Sequence, residues 1–79
     1  MAPTLLKESG FRFYFFSREE TRPHVHVSHP DGEAKFWIAP AVALASSQGL
    51  SARQLRHVGQ SIVAHQWEFE HAWNSHFGH

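Results

Sequence analysis

Two histidines separated by one residue, His24 and His26, are the strongest candidates for chemistry in this sequence. Side chains of a β-strand alternate between its two faces, so both imidazoles point to the same side if this segment is a strand. Paired imidazoles can act as general base and general acid on a phosphodiester, and cationic neighbours can hold the phosphate charge. We therefore predict His24 and His26 as catalytic residues and Lys35, Arg22 and Trp37 as substrate-binding residues.

The same histidine pair allows two other interpretations. Histidines at i and i+2 can both reach a divalent metal ion, but a catalytic zinc usually needs a third protein ligand. His29 lies close to a predicted turn, and Glu33 is the other candidate for that ligand. Alternatively, the histidines are ordinary polar residues of a solvated strand face, since a His-x-His pair occurs often without function. The sequence does not identify a cofactor, which stays unknown. If the chain is an enzyme, we expect metal-independent, ribonuclease-like acid–base chemistry.

A predicted β-hairpin positions the histidines. Pro23 starts the first strand, and residues 24–28 alternate polar and β-branched side chains. The segment 29–32 (His-Pro-Asp-Gly) has strong turn chemistry, and residues 33–38 form the returning strand. A four-residue loop pairs Ser28 with Glu33, His26 with Lys35, and His24 with Trp37. A competing three-residue loop with a Gly32 bulge would shift the pairing by one and place the histidines beside apolar residues, which the hydrophobic pattern opposes.

The remaining chain predicts the elements around this hairpin. We expect a short edge strand near Leu5, and an aromatic strand over residues 11–16 that is buried on both faces. The polar residues 17–22 indicate a loop, and the Ala-rich residues 41–50 favour a short helical turn. Ser51 and Gln54 form a capping box for one long helix that ends before Gly78. The predicted fold is α+β, a single domain over residues 1–79 with a small antiparallel sheet of three to four strands packed against one long C-terminal helix.

Composition excludes several classes of protein. The 79 residues contain no cysteine, so neither a disulfide scaffold nor a thiolate metal site is available. No apolar run has the roughly 20 residues that span a bilayer, and no signal peptide is evident, so we expect a cytoplasmic protein without membrane contact. Seven Lys and Arg residues balance seven Asp and Glu residues, which predicts no strong general attraction to nucleic acid. If Trp37 and Phe16 share an exposed face, they would favour a homodimer or partner binding.

The order of the motifs resembles that of a bacterial family catalogued as domain of unknown function 4160. The resemblance is carried, in order, by residues 10–17 (GFRFYFFS), 23–27 (PHVHV), 32–38 (GEAKFWI), 49–53 (GLSAR) and 72–78 (AWNSHFG). The family motif falls on Pro23, His24, His26, Lys35 and Trp37. Where the family often has an acidic residue, this chain has Gln54.

The resemblance also implies a biological setting. Members of the family are short proteins that are often encoded beside a protein of domain of unknown function 2442, in a toxin–antitoxin arrangement. By resemblance, this chain is the toxin, with a small antitoxin protein as its partner. We expect it to act on RNA or on the translation machinery through the histidine hairpin. The alternatives are a non-enzymatic module that binds protein or nucleic acid, and a transition-metal-binding accessory protein.

Overall fold

The described part of the chain, residues 4–16 and 21–77 of a computed structural model, forms an antiparallel sheet and two helices. The sheet contains five strands: β1 (Thr4–Glu8), β2 (Phe11–Tyr14), β3 (His24–His29), β4 (Gly32–Trp37) and β5 (Ala43–Gln48). Each strand pairs with its neighbour in sequence, so that the spatial order is β1-β2-β3-β4-β5. The predicted α+β class is confirmed. Residues 17–20 of the predicted loop over residues 17–22, and the helix stop predicted at Gly78, lie outside the described residues.

The β3–β4 hairpin has the predicted register. His24 pairs with Trp37, His26 with Lys35, and Ser28 with Glu33. The strands continue for one further pair, His29 with Gly32, so the connecting loop contains two residues instead of four. Alternation of apolar and polar residues selects this register, because a shift by one residue would move every valine of β3 out of the core.

The prediction of three to four strands was wrong, because residues 43–48 form a fifth strand and not a helical turn. This strand pairs with β4, from Glu33 opposite Gln48 to Trp37 opposite Ala43. All six of its residues are exposed, so the segment has none of the apolar alternation by which a strand is recognised. Backbone pairing to β4 outweighs the helical preference of its alanines, as tertiary context often does.

The predicted single helix is divided in two: α1 (Ala52–Ala64) and α2 (Gln66–Phe77). Ser51 caps α1 with the predicted capping box. At His65 the backbone leaves helical geometry, with φ −113° and ψ 17°, and Gln66 then donates a side-chain hydrogen bond to the Ile38 carbonyl, 2.9 Å away. The apolar periodicity continues across this break, which is why the sequence pattern did not predict it. Neither helix of the described ranges is long and apolar enough to cross a membrane.

Both helices contribute to a core on one face of the sheet, which we call the closed face. Phe13, Val25 and Val27 have no exposed surface there. The prediction that the aromatic strand is buried on both faces was wrong, because Arg12 and Tyr14 are only half-buried on the other face. The buried apolar residues are Phe11, Phe13, Phe15, Val25, Val27, Ala34, Phe36, Ile38, Val58, Ile62, Phe69 and Trp73.

Two glycines allow the chain to turn from β5 into α1. Gly49 has φ +86°, a left-handed conformation that glycine adopts without strain. Gly32 lies so close to this turn that a Cβ atom on it would be 2.1 Å from the Gln48 carbonyl oxygen. The end of β5 therefore rests directly on the start of β4.

Candidate functional site

The face of the sheet opposite the helices, which we call the open face, carries two rows of paired polar residues. One row is Tyr14, His26, Lys35 and Ser46 across strands β2 to β5, and the parallel row is Arg12, Ser28, Glu33 and Gln48. A groove of about 470 Å³ lies over these rows. In the described part of the chain, its lining comes from the sheet and from Phe16, with no contribution from either helix. As far as the described residues go, the open face is therefore accessible to a ligand.

Aromatic rings surround His26 on this face. The His26 ring stacks on Tyr14, with centroids 5.7 Å apart and planes at 25°. Phe16 meets it edge-on at 5.7 Å, and His24 does so at 5.2 Å. Phe16 is 58% exposed, so it presents most of its ring to solvent. The four rings therefore form a continuous group around His26, and Phe16 is the ring most available to a ligand.

Cationic side chains lie over two rings of the same face, Tyr14 and Trp37. The Arg22 guanidinium lies 4.4 Å and the Lys35 ammonium 4.8 Å from the centre of the Trp37 ring. The Arg12 guanidinium lies 4.4 Å from the centre of Tyr14. Such cation–π contacts hold the charges over the aromatic surface. The structure thus brings the three predicted substrate-binding residues, Lys35, Arg22 and Trp37, into one cluster.

The two predicted catalytic histidines lie together but differ in accessibility. His24 is 1% exposed, because Trp73 of α2 packs 5.0 Å from its ring. Its Nδ1 donates to the Arg22 carbonyl at 2.8 Å, since a carbonyl oxygen only accepts. His26 lines the groove, although its Nε2 atom is buried. A base or acid must come within hydrogen-bond distance of its substrate. Of the two histidines, His26 is the one whose ring borders the groove where a ligand could bind. The acid–base assignment of the pair stays a prediction.

The two candidate third metal ligands lie on opposite faces of the sheet. His29 lies on the closed face, where its ring packs 4.3 Å from Phe11, and its Nδ1 accepts from the Asp31 backbone N–H at 3.0 Å. Glu33 lies on the open face, opposite Ser28. Residues 4–16 and 21–77 contain no group of three His, Cys, Asp or Glu side chains that could hold a metal ion.

Charge is unevenly distributed between the two faces. The open face carries Arg12 and Lys35, together with Lys7, which pairs with Arg12. Among the described residues of its two polar rows, the acidic one is Glu33. On the closed face, Glu8 binds the Ser61 hydroxyl and lies 3.4 Å from the His57 Nε2 atom. Although the formal net charge of the chain is zero, the described residues of the open face carry an excess of cationic side chains.

Sequence reasoning missed several residues of the site. Arg12 and Tyr14 were assigned to a doubly buried strand, although their polar groups are the signal that one side of β2 faces solvent. Ser46 and Gln48 were missed because β5 was not predicted.

No match to the chain was found among curated proteins or among solved structures. A family model does match, and it covers residues 10–74, which include every predicted site residue. The predicted resemblance is confirmed: the chain belongs to the family described as Domain of unknown function (DUF4160).

Proposed function

We propose that the protein binds single-stranded RNA across the open face and acts as the toxin of a bacterial toxin–antitoxin pair. The observation that supports RNA binding is the combination of rings and cations on this face. Phe16 is largely exposed, and guanidinium groups lie over Tyr14 and Trp37. Single strands bind where bases can stack on aromatic rings or guanidinium planes while cations contact the phosphates.

The polar residues of the open face favour RNA over DNA as the ligand. Ser28, Ser46 and Gln48 place hydroxyl and amide groups between the cations. These groups can both donate to and accept from a ribose 2′-hydroxyl, which is the group that distinguishes RNA from DNA at a protein surface. A single strand fits better than a duplex, because bases must be unstacked before they can stack on side chains.

The toxin part of the proposal rests on the resemblance given by the sequence motifs, because the matched family is itself described only as a domain of unknown function. The resemblance to that family implies a toxin–antitoxin arrangement with a small antitoxin partner. A toxin that binds RNA would interfere with translation, so the two parts of the proposal are compatible. RNA binding and toxicity can nevertheless be tested separately.

The binding test uses fluorescence anisotropy with a labelled RNA of about ten nucleotides, within the range that one small single-strand-binding domain covers. We expect Phe16→Ala to weaken binding by about 1–3 kcal/mol through the loss of one stacked base. Lys35→Gln should lower the slope of log K against log salt by about 0.7 if one phosphate contact is lost.

Trp67→Ala is the matched control for Phe16→Ala, because Trp67 is 72% exposed but belongs to α2. It should bind RNA as the wild type does. If Trp67→Ala abolishes binding while Phe16→Ala leaves it unchanged, the open face is not the RNA site. Equal affinity for DNA of the same sequence would contradict the role of the 2′-hydroxyl.

The toxin test is bacterial growth after induced expression at matched soluble levels. Wild-type protein should arrest growth, and the Phe16→Ala/Lys35→Gln variant should relieve the arrest while Trp67→Ala does not. Unimpaired growth with the wild type would contradict the toxin assignment and leave the RNA-binding result standing.

Cleavage of the bound RNA would depend on His26, the catalytic candidate that lines the groove. Cleavage products that form with wild-type protein in the presence of EDTA and disappear with His26→Ala, at unchanged RNA affinity, would support metal-independent acid–base chemistry. Intact RNA after prolonged incubation with the wild type would leave a binding protein without nuclease activity.

A further inference from the structure

The groove over the open face contains an acidic side chain that RNA binding, as proposed above, does not use. Among the described residues that line the groove, Glu33 is the acidic one, and it lies two positions before the cation Lys35 on β4. A carboxylate repels the phosphates of a nucleic acid, so Glu33 by itself weakens the binding of any RNA. A charge of this sign favours a ligand only where it accepts hydrogen bonds from that ligand.

Within the part of the chain that the structure describes, the Glu33 carboxylate takes part in no ion pair or hydrogen bond. Its cross-strand neighbours are the neutral residues Ser28 and Gln48. The two cations of the polar rows, Arg12 and Lys35, lie over aromatic rings. Glu33 is also exposed, so both of its carboxylate oxygens are available to a ligand.

Glu33 lies close to the group of rings around His26. It is diagonal to His26, one strand over and one polar row along the sheet, and side chains in this relation are about 7–8 Å apart. Phe16, the exposed ring, meets His26 with centroids 5.7 Å apart and lines the same groove. A base that stacks on Phe16 can therefore extend one of its edges toward the Glu33 carboxylate.

We propose that Glu33 selects guanine as the base bound in this groove, an inference that rests on the proposed RNA binding. An ionised carboxylate has two oxygens that only accept hydrogen bonds. The Watson–Crick edge of guanine presents two adjacent donors to them, N1–H and the N2 amino group. Adenine and cytosine present an amino group beside an acceptor nitrogen, and uracil presents N3–H between two carbonyl oxygens. Each of these three bases would place an acceptor against the carboxylate, which disfavours its binding.

A neighbouring residue of β5 extends the match to a third atom of guanine. Gln48 lies directly opposite Glu33 and lines the same groove. Its amide can donate to O6, the acceptor that follows N1–H along the edge of guanine. Glu33 and Gln48 thus offer two acceptors and a donor in the order that guanine requires, while Ser28 and Ser46 remain for the ribose.

The test measures fluorescence anisotropy with RNAs of about ten nucleotides, the length used above. Each RNA is a uridine tract that carries guanosine, adenosine, cytidine or uridine at one central position. We expect the guanosine RNA to bind about 5- to 150-fold more tightly than the other three, the range for a bidentate contact to a base. Inosine, which lacks the N2 amino group, should bind more weakly than guanosine. 7-Deazaguanosine, which keeps the Watson–Crick edge, should bind as guanosine does.

Glu33→Gln tests the carboxylate without changing the size of the side chain. An amide presents one acceptor and one donor, the combination that pairs with adenine, so the ratio of guanosine to adenosine affinity should fall to about one or below. Glu68→Gln is the matched control, because it removes the same charge from an exposed position of α2. It should keep the preference for guanosine. Circular dichroism checks that both variants are folded.

The outcomes separate this inference from the proposed function. Equal affinity of the wild type for all four RNAs would overturn the selection of guanine and leave RNA binding standing. A Glu33→Gln variant that binds every RNA more tightly, with an unchanged preference for guanosine, would show that the carboxylate only repels phosphate. Failure of the wild type to bind any of the four RNAs would overturn both proposals.

Discussion

The closed and open faces of the sheet are formed by the same strands, but the closed face packs in the core and the open face carries the candidate site. In β2 and β3, Phe13, Val25 and Val27 point to the closed face and are fully buried. Their neighbours in sequence, Tyr14 and His26, point to the open face and line the groove. A step of one residue along a strand therefore changes a side chain from part of the core to part of the candidate site. Substitutions at adjacent positions should produce different kinds of defect.

The largest expected effect comes from Phe13→Ala on the closed face. Removing a fully buried phenylalanine should lower the free energy of unfolding by about 3–5 kcal/mol, a large part of the 5–15 kcal/mol typical of a domain. Chemical denaturation followed by circular dichroism measures this loss. Tyr14→Ala is the neighbouring control on the open face and should be clearly less destabilising. Equal losses would contradict the division between the faces.

His24 is an exception to the difference between the two faces, because it occupies an open-face position and yet is buried. His24→Ala should cost about 2–3 kcal/mol, from the cavity beside Trp73 and the lost hydrogen bond to the Arg22 carbonyl. His26→Ala removes ring contacts and should cost about 1 kcal/mol. Denaturation of both variants, with RNA affinity measured on the folded protein, separates the roles. If His26→Ala is the more destabilising, His26 is structural.

Ser51→Ala should have a small effect on stability and none on the open face. Its hydroxyl accepts from the Gln54 backbone N–H at 3.1 Å and caps α1, so its removal should cost about 1 kcal/mol. The helix covers the closed face, and RNA affinity of the folded protein should therefore not change. A loss of RNA affinity in the fully folded Ser51→Ala variant would show that α1 takes part in the open-face site.

Local patterns in the sequence were sufficient to predict the hairpin and the helix cap. Val25 and Val27 alternate with His24 and His26 before a strong turn, and this arrangement determines the register. Ser51 and Gln54 carry the chemistry of a capping box, which is likewise a local feature. In both places the residues that decide the structure are close together in sequence.

Features that depend on distant contacts could not be predicted. β5 is held by backbone pairing to β4, and its Ala- and Ser-rich sequence contains no pattern of burial. The burial of His24 depends on Trp73, which reaches it from the last helix. The cationic character of the open face depends on which side of β2 carries Arg12. The run of aromatic residues predicted that both sides of this strand are buried, so it gave no such side.

The side chain of Gln54 connects the hairpin turn to the start of α1. Its Oε1 accepts from the Ser51 N–H at 2.8 Å, and its Nε2 donates to the Asp31 carboxylate at 2.9 Å. An amide can accept and donate at once, whereas an ionised carboxylate only accepts. Glutamate at position 54 would keep the cap but would place a second negative charge against Asp31. Positions 31 and 54 should therefore covary, so that a homologous chain with an acid at 54 has Asn or Ser at 31.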